Sequence, residues 1–140
     1  MGSVPETLQS GAPPARMLVV DDELGTVFAL RSFFALAGYD VDCAAGCTEG
    51  LTLLETYDYD AVITDLHLTP GRRGEGMNIA ENARRRNPYA CVVLLTAYGN
   101  EATQEEALRR GVDLYETKPV ELPLLMRHIE RVVNRNARRG

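Results

Sequence analysis

Five short apolar runs, each followed by residues at helical spacing, limit what this chain can fold into. The runs are Met17-Leu18-Val19-Val20, Tyr39 to Ala44, Ala61-Val62-Ile63-Thr64, Cys91-Val92-Val93-Leu94-Leu95 and Val112 to Tyr115. Runs without polar alternation predict strands buried on both faces, which is the habit of parallel sheets. Between them, Val27, Leu30, Phe34 and Ala37 recur at helical spacing until Gly38. Further helices are expected from Gly46 to about Tyr57, from Gly76 to Arg86 before Asn87-Pro88, and from Asn100 to Arg110 before Gly111. A last helix starts near Glu121 and carries the stripe Leu122, Leu125, Met126, Ile129, Val132 and Val133, with Arg127, Arg131, Arg135 and Arg138 on another face. Strand–helix alternation with right-handed crossovers predicts an α/β fold: an open, doubly wound, five-stranded parallel sheet with helices on both faces.

The 140 residues suit one domain that can bury a core without disulfides. A net charge of -5 argues against a broadly basic nucleic-acid surface. No apolar run approaches the roughly 20 residues of a membrane span, and the N-terminus lacks the apolar core of a secretory signal. Cys43, Cys47 and Cys91 are too few and too scattered for a disulfide framework, and His67 and His128 complete no metal-ligand spacing with them. Free thiols in a reducing, cytoplasmic compartment are expected. The Gly, Ser and Pro of residues 1–15 predict a flexible leader, residues 16–136 the folded domain, and residues 137–140 a basic tail.

In a sheet of this kind ligands bind beyond the carboxyl ends of the strands. Those ends carry Asp21, Asp22, Asp65 and Thr96, with Lys118 just after the fifth strand. Asp21 and Asp22 alone could be a helix cap. Three neighbouring carboxylates, however, repel one another and call for protons or a cation. Oxygen-only ligands favour Mg2+, which keeps waters and a phosphate in its shell. A carboxylate such as Asp65 can then act as nucleophile toward phosphorus. Lys118 would neutralise a phosphoryl oxygen, and the Thr96 hydroxyl would donate to another.

The segments Met17-Leu18-Val19-Val20-Asp21-Asp22-Glu23, Val62-Ile63-Thr64-Asp65-Leu66, Leu94-Leu95-Thr96-Ala97-Tyr98-Gly99 and Tyr115-Glu116-Thr117-Lys118-Pro119 together resemble the receiver domain of bacterial two-component response regulators. The resemblance covers about residues 16–136. It implies a flavodoxin-like strand order 2-1-3-4-5 and makes Asp65 the phosphoacceptor, charged from a sensor histidine kinase or a histidine phosphotransfer protein. Asp22, Asp65 and the backbone carbonyl of His67 would bind Mg2+, with Asp21 acting mainly through water. Thr96 and Lys118 would contact the phosphoryl group, Tyr115 would be the aromatic switch, and the Lys118–Pro119 bond would be cis. Partners, including a possible phosphorylation-dependent second copy, would read the face of the fourth helix, fifth strand and fifth helix. The chain would be a signalling protein that catalyses its own phosphorylation and dephosphorylation, not a dedicated enzyme, with no direct contact to nucleic acid or membrane.

The loop after Asp65 departs from the family pattern. Pro70 and Gly76 come later than usual, and Arg72 and Arg73 lie between them, where they could attract the donor protein. Tyr98, two residues past Thr96, could shield an acyl phosphate from water. The alternatives within the family are a receiver cut from a DNA-binding regulator or from a hybrid kinase. Outside it stand an aspartate-nucleophile phosphatase, which would want Asp-x-Asp after the first strand, and a flavin module, whose phosphate Asp21, Asp22 and Glu23 would repel.

Overall fold

Each apolar run becomes a strand of one parallel sheet. The computed structural model describes residues 14–70, 72 and 74–137. The strands are β1 (Arg16–Val20), β2 (Asp40–Ala44), β3 (Ala61–Asp65), β4 (Cys91–Thr96) and β5 (Leu114–Thr117). They lie in the order β2-β1-β3-β4-β5, as expected. The helices are α1 (Leu24–Leu36), α2 (Cys47–Thr56), α3 (Glu75–Arg86), α4 (Glu101–Arg109) and α5 (Leu122–Ala137). Among the described residues no helix is long and apolar enough to cross a membrane.

Alternate strand residues divide the interior into two layers. Leu18, Val20, Val62, Val92 and Leu94 pack with Leu54 of α2, with Ile79, Ala80 and Ala83 of α3, and with Ala107 of α4. Met17, Val19, Ile63, Val93 and Leu95 pack with Leu30 and Phe34 of α1 and with Leu125 and Ile129 of α5. The stripe on the last helix is therefore a packing face, while Arg127, Arg131 and Arg135 are exposed. Each fully buried aliphatic side chain contributes about 1.5–3 kcal/mol.

Two strands begin later than their apolar runs, for one physical reason. Beyond α1, Gly38 has φ 100°; its N–H bonds to Ala35 O at 3.0 Å, and Tyr39 N–H bonds to Phe34 O at 3.0 Å. Beyond α4, Gly111 has φ 97°; its N–H bonds to Leu108 O at 3.2 Å, and Val112 N–H bonds to Ala107 O at 3.0 Å. Both are left-handed glycine stops in which the next residue folds back onto the helix's last turn. Tyr39 accordingly sets its ring edge-on to Phe34 at 5.5 Å. Tyr39 and Val112 are apolar because they close helices, so β2 starts at Asp40 and β5 at Leu114, two residues past the expected Val112.

The amino-terminal edge of the sheet is tied by arginines. Arg84 of α3 donates to Gly111 O at 3.0 Å, Pro88 O at 2.7 Å and Ala90 O at 2.9 Å, and pairs with Asp113. Asp113 also accepts from Val92 N–H at 2.8 Å, so one side chain joins α3 to the entries of β4 and β5. Arg16 donates to Asp42 at 3.1 Å and lies over the Tyr57 ring at 4.2 Å, while Tyr59 O–H donates to the same carboxylate at 2.7 Å. The expected leader and tail lie outside the described residues, apart from Pro14, Ala15 and Ala137, the last of which closes α5.

Candidate functional site

The carboxyl edge gathers the charges that sequence reasoning placed there. Asp21 N–H bonds to Ala44 O at 3.0 Å, which seats Asp21 just beyond β1. Asp65 is the last residue of β3, and Lys118 N–H bonds to Thr96 O at 2.8 Å, which brings the lysine beside β4. The Lys118–Pro119 bond is cis. Lys118 Nζ then reaches Asp21 Oδ2 at 2.8 Å and Asp65 Oδ2 at 3.1 Å. Its third acidic neighbour, Glu23, lies 3.9 Å away and was not read from sequence as part of the site. Carboxylate oxygens of Asp21, Asp22 and Asp65 all lie within 4.8 Å of one another. An all-oxygen set of that span suits a hard cation of the Mg2+ kind.

Burial makes the cluster uneasy without such a cation. Asp21 is 2% exposed and Asp65 8%. Burial foremost, with Asp21 adding to it, pushes the Asp65 carboxyl above the usual carboxylate range, although His67 N–H and Lys118 pull the other way. Burial also acts to depress Lys118, but its hydrogen bonds and attraction to Asp21 and Asp65 outweigh this, and its pKa ends raised. Lys118 is thus held charged between carboxylates, one of which resists ionisation.

The remaining predicted residues occupy distinct places. Thr96 is fully buried, and its Oγ1 accepts from Tyr98 N–H at 3.2 Å. Tyr115 lies on β5, half-buried, with its hydroxyl 2.8 Å from Thr103 Oγ1 of α4. A Cβ at Gly99 would stand 2.7 Å from that Tyr115 hydroxyl and 3.1 Å from the Thr96 methyl, so Gly99 is the spacer between them. The His67 side chain is exposed, and its N–H donates to Asp65 Oδ1 at 3.1 Å. Tyr98 is 83% exposed, and a ring so placed covers nothing in this state. Arg72 is exposed, and Arg73 lies outside the described residues. Gly76 is the second residue of α3, and a Cβ there would stand 2.0 Å from Asp65 O, so the helix rests directly on the Asp65 peptide. Burial raises all three thiols, Cys91 to about 12, which makes them poor ligands and nucleophiles.

Beside Lys118 a mainly apolar groove of about 450 Å³ runs between α1 and the segment after β5, lined by Thr26, Ala29, Leu30, Leu95, Pro119 and Val120. On the same helix Leu24 and Phe28 are largely exposed.

A 2-1-3-4-5 parallel sheet with a lysine-bridged acidic crevice at its switch point defines a flavodoxin-like α/β domain. Residues 17–130 match the response regulator receiver domain, and the chain belongs to that family of two-component signalling modules. It is 32% identical over 124 residues to the Transcriptional regulatory protein GlrR of Escherichia coli, covering 89% of this chain and 27% of that protein. It is 38% identical over 103 residues to the Aerobic respiration control protein ArcA of the same species, covering 74% of this chain and 42% of ArcA. The chain thus spans less than half the length of either relative. Among solved structures, a CheY-like receiver domain protein from Methanospirillum hungatei superposes with TM-score 0.83 at 25% identity, over 91% of this chain and 99% of that one. A response regulator from Burkholderia pseudomallei, solved with a phosphorylated aspartic acid and a calcium ion, gives TM-score 0.76 at 25% identity, over 86% and 69%.

Proposed function

We propose that Asp65 accepts a phosphoryl group from a histidine of a partner kinase or phosphotransfer protein, and that this reshapes the face formed by α4, β5 and α5. The observation that carries this reading is the crevice itself, with Asp65 Oδ2 3.1 Å from Lys118 Nζ inside a cluster of three carboxylates. Asp21, Asp22 and Asp65, with the His67 carbonyl, are the groups that would hold Mg2+, whose charge would offset that of the incoming phosphate. An Asp65 oxygen attacks phosphorus, the new O–P bond forms, and the P–N bond to the donor imidazole breaks. The bonding pair stays on the donor nitrogen, and because the other ring nitrogen of the phosphohistidine carries a proton, the donor leaves as neutral imidazole. Lys118 turns from carboxylate to phosphoryl oxygen as a mobile point charge. Thr96, once it releases Tyr98 N–H, donates to a second oxygen, and Tyr115 follows the space it vacates.

The groove beside Lys118, with Leu24 and Phe28 on its helix, supports docking of an apolar donor surface within reach of Asp65. This chemistry is self-phosphorylation of a signalling module rather than turnover of a metabolite. Three free cysteines support a cytoplasmic setting. The greater length of the relatives supports a second reading, in which this receiver works with an output region that phosphorylation controls. The experiment is incubation with acetyl phosphate and Mg2+, followed by intact mass. The natural chain gains one phosphoryl group and Asp65→Asn gains none; an adduct on both, or on neither, overturns the assignment.

A further inference from the structure

Thr103 stands seven residues beyond Thr96, outside every motif singled out above, yet it holds the one polar contact found for the Tyr115 side chain among the described residues. Its hydroxyl has one hydrogen and two acceptor positions. Asn100 N–H donates to Thr103 Oγ1 at 3.3 Å, and Thr103 Oγ1 donates to Asn100 O at 3.0 Å. The same hydroxyl lies 3.3 Å from Asn100 Oδ1 and 2.8 Å from the Tyr115 hydroxyl, a contact in which either oxygen can be the donor. In return, Asn100 Oδ1 accepts from Thr103 N–H at 2.9 Å, completing the reciprocal cap of α4. Tyr115 is thereby tied to the first turn of α4 through the same hydroxyl that closes its cap.

The loop that this bond spans is the one that must move. Thr96 Oγ1 accepts from Tyr98 N–H, and Gly99 lies against both the Thr96 methyl and the Tyr115 hydroxyl. If Thr96 shifts toward Asp65, residues 97–99 go with it and carry the Asn100 cap along. The cap cannot travel and keep its geometry to a phenol whose Cα stays on β5. Resting on the phosphoacceptor reading of Asp65, we infer that Thr103 is a positioning residue, a hydroxyl catch that holds Tyr115 and the start of α4 in the resting arrangement and must let go on phosphorylation.

The test is calorimetric titration with beryllofluoride, a phosphoryl mimic, in Mg2+ buffer. Losing a bond that exists only in the resting state favours the bound state, so Thr103→Val should tighten binding about 3- to 10-fold. Tyr115→Phe removes the same bond without touching the cap and should tighten it comparably. The double variant should gain nothing more, and Thr103→Ser should match the natural chain. Unchanged or weaker binding by Thr103→Val and Tyr115→Phe overturns the catch alone. So does additive tightening in the double variant, which would place the effect in the helix cap, or a Thr103→Ser that behaves like Thr103→Val. If Thr103→Val fails to fold, Tyr115→Phe against the natural chain decides. No binding by the natural chain overturns the Asp65 reading, and the catch with it.

Discussion

The two edges of the sheet both set aspartates against basic side chains, arginines at one and a lysine at the other, and to opposite ends. At the amino-terminal edge, Arg84 meets Asp113 and three carbonyls, and Arg16 meets Asp42 while lying over two tyrosine rings. Arg84 fits fixed acceptors with all three of its nitrogens, while Arg16 binds Asp42 through Nη2 and its buried Nε has no hydrogen-bond partner among the described residues. At the carboxyl edge three carboxylates cluster, and two of them, Asp21 and Asp65, share one ammonium. That edge keeps electrostatic strain that only a cation or a proton relieves. One end of the strands holds the fold, and the other stays available for chemistry.

The contrast breaks most visibly at Arg84. Arg84→Met keeps the packing of the stem but strands Asp113 and three carbonyls, and should cost about 3 kcal/mol in urea unfolding. The rate of phosphorylation by acetyl phosphate should hold in the folded fraction. A loss of rate with unchanged stability would merge the two edges into one functional unit.

Gly76→Ala is the next largest effect and sharpens the comparison, because it sets a rigid point inside the adaptable edge. The added methyl would fall 2.0 Å from Asp65 O, against backbone that cannot swing aside. It should cost about 2 kcal/mol of stability, and phosphorylation should slow with it, since the displaced peptide is that of Asp65.

The smallest effect has the opposite sign. The Asp65 carboxyl has a raised pKa, so the folded state holds that proton more firmly than the unfolded chain does. Its contribution to stability is fully present below about pH 4, near the unfolded value, and is lost as pH rises through the folded one. Without metal at neutral pH, Asp65→Asn should therefore raise the melting temperature, by a smaller step than the Arg84 loss lowers it. Mg2+ should stabilise the natural chain more at pH 7 than at pH 4, and Asp65→Asn should blunt that difference. A destabilised Asp65→Asn in metal-free buffer would show that the carboxylates are content as they stand.

Much of this was legible before any coordinates. Val62-Ile63-Thr64-Asp65 and Cys91 to Thr96 could only be buried strands, and a parallel sheet brings their ends together. Tyr39 and Val112 misled because an apolar residue after a cap glycine looks the same whether it opens a strand or closes a helix. Arg84 was silent because an arginine on a helix ordinarily faces water, and its carbonyl partners carry no side-chain signature. Thr103 was silent because its partner, twelve residues on, reaches it only across the α4–β5 turn. Glu23 closes a readable motif, but its 3.9 Å approach to Lys118 depends on the turn out of β1.

Lys118 is the only lysine among the 140 residues; every other basic side chain of the Lys and Arg type is arginine. A chain that otherwise builds with arginine has kept its one mobile, titratable amine for the crevice. Reductive methylation with a ¹³C label would therefore tag this nitrogen and, besides it, only the terminal amine. A single resonance would then report salt-bridge exchange at one atom and, on the proposed reading, give a spectroscopic handle for metal and phosphoryl arrival in the crevice.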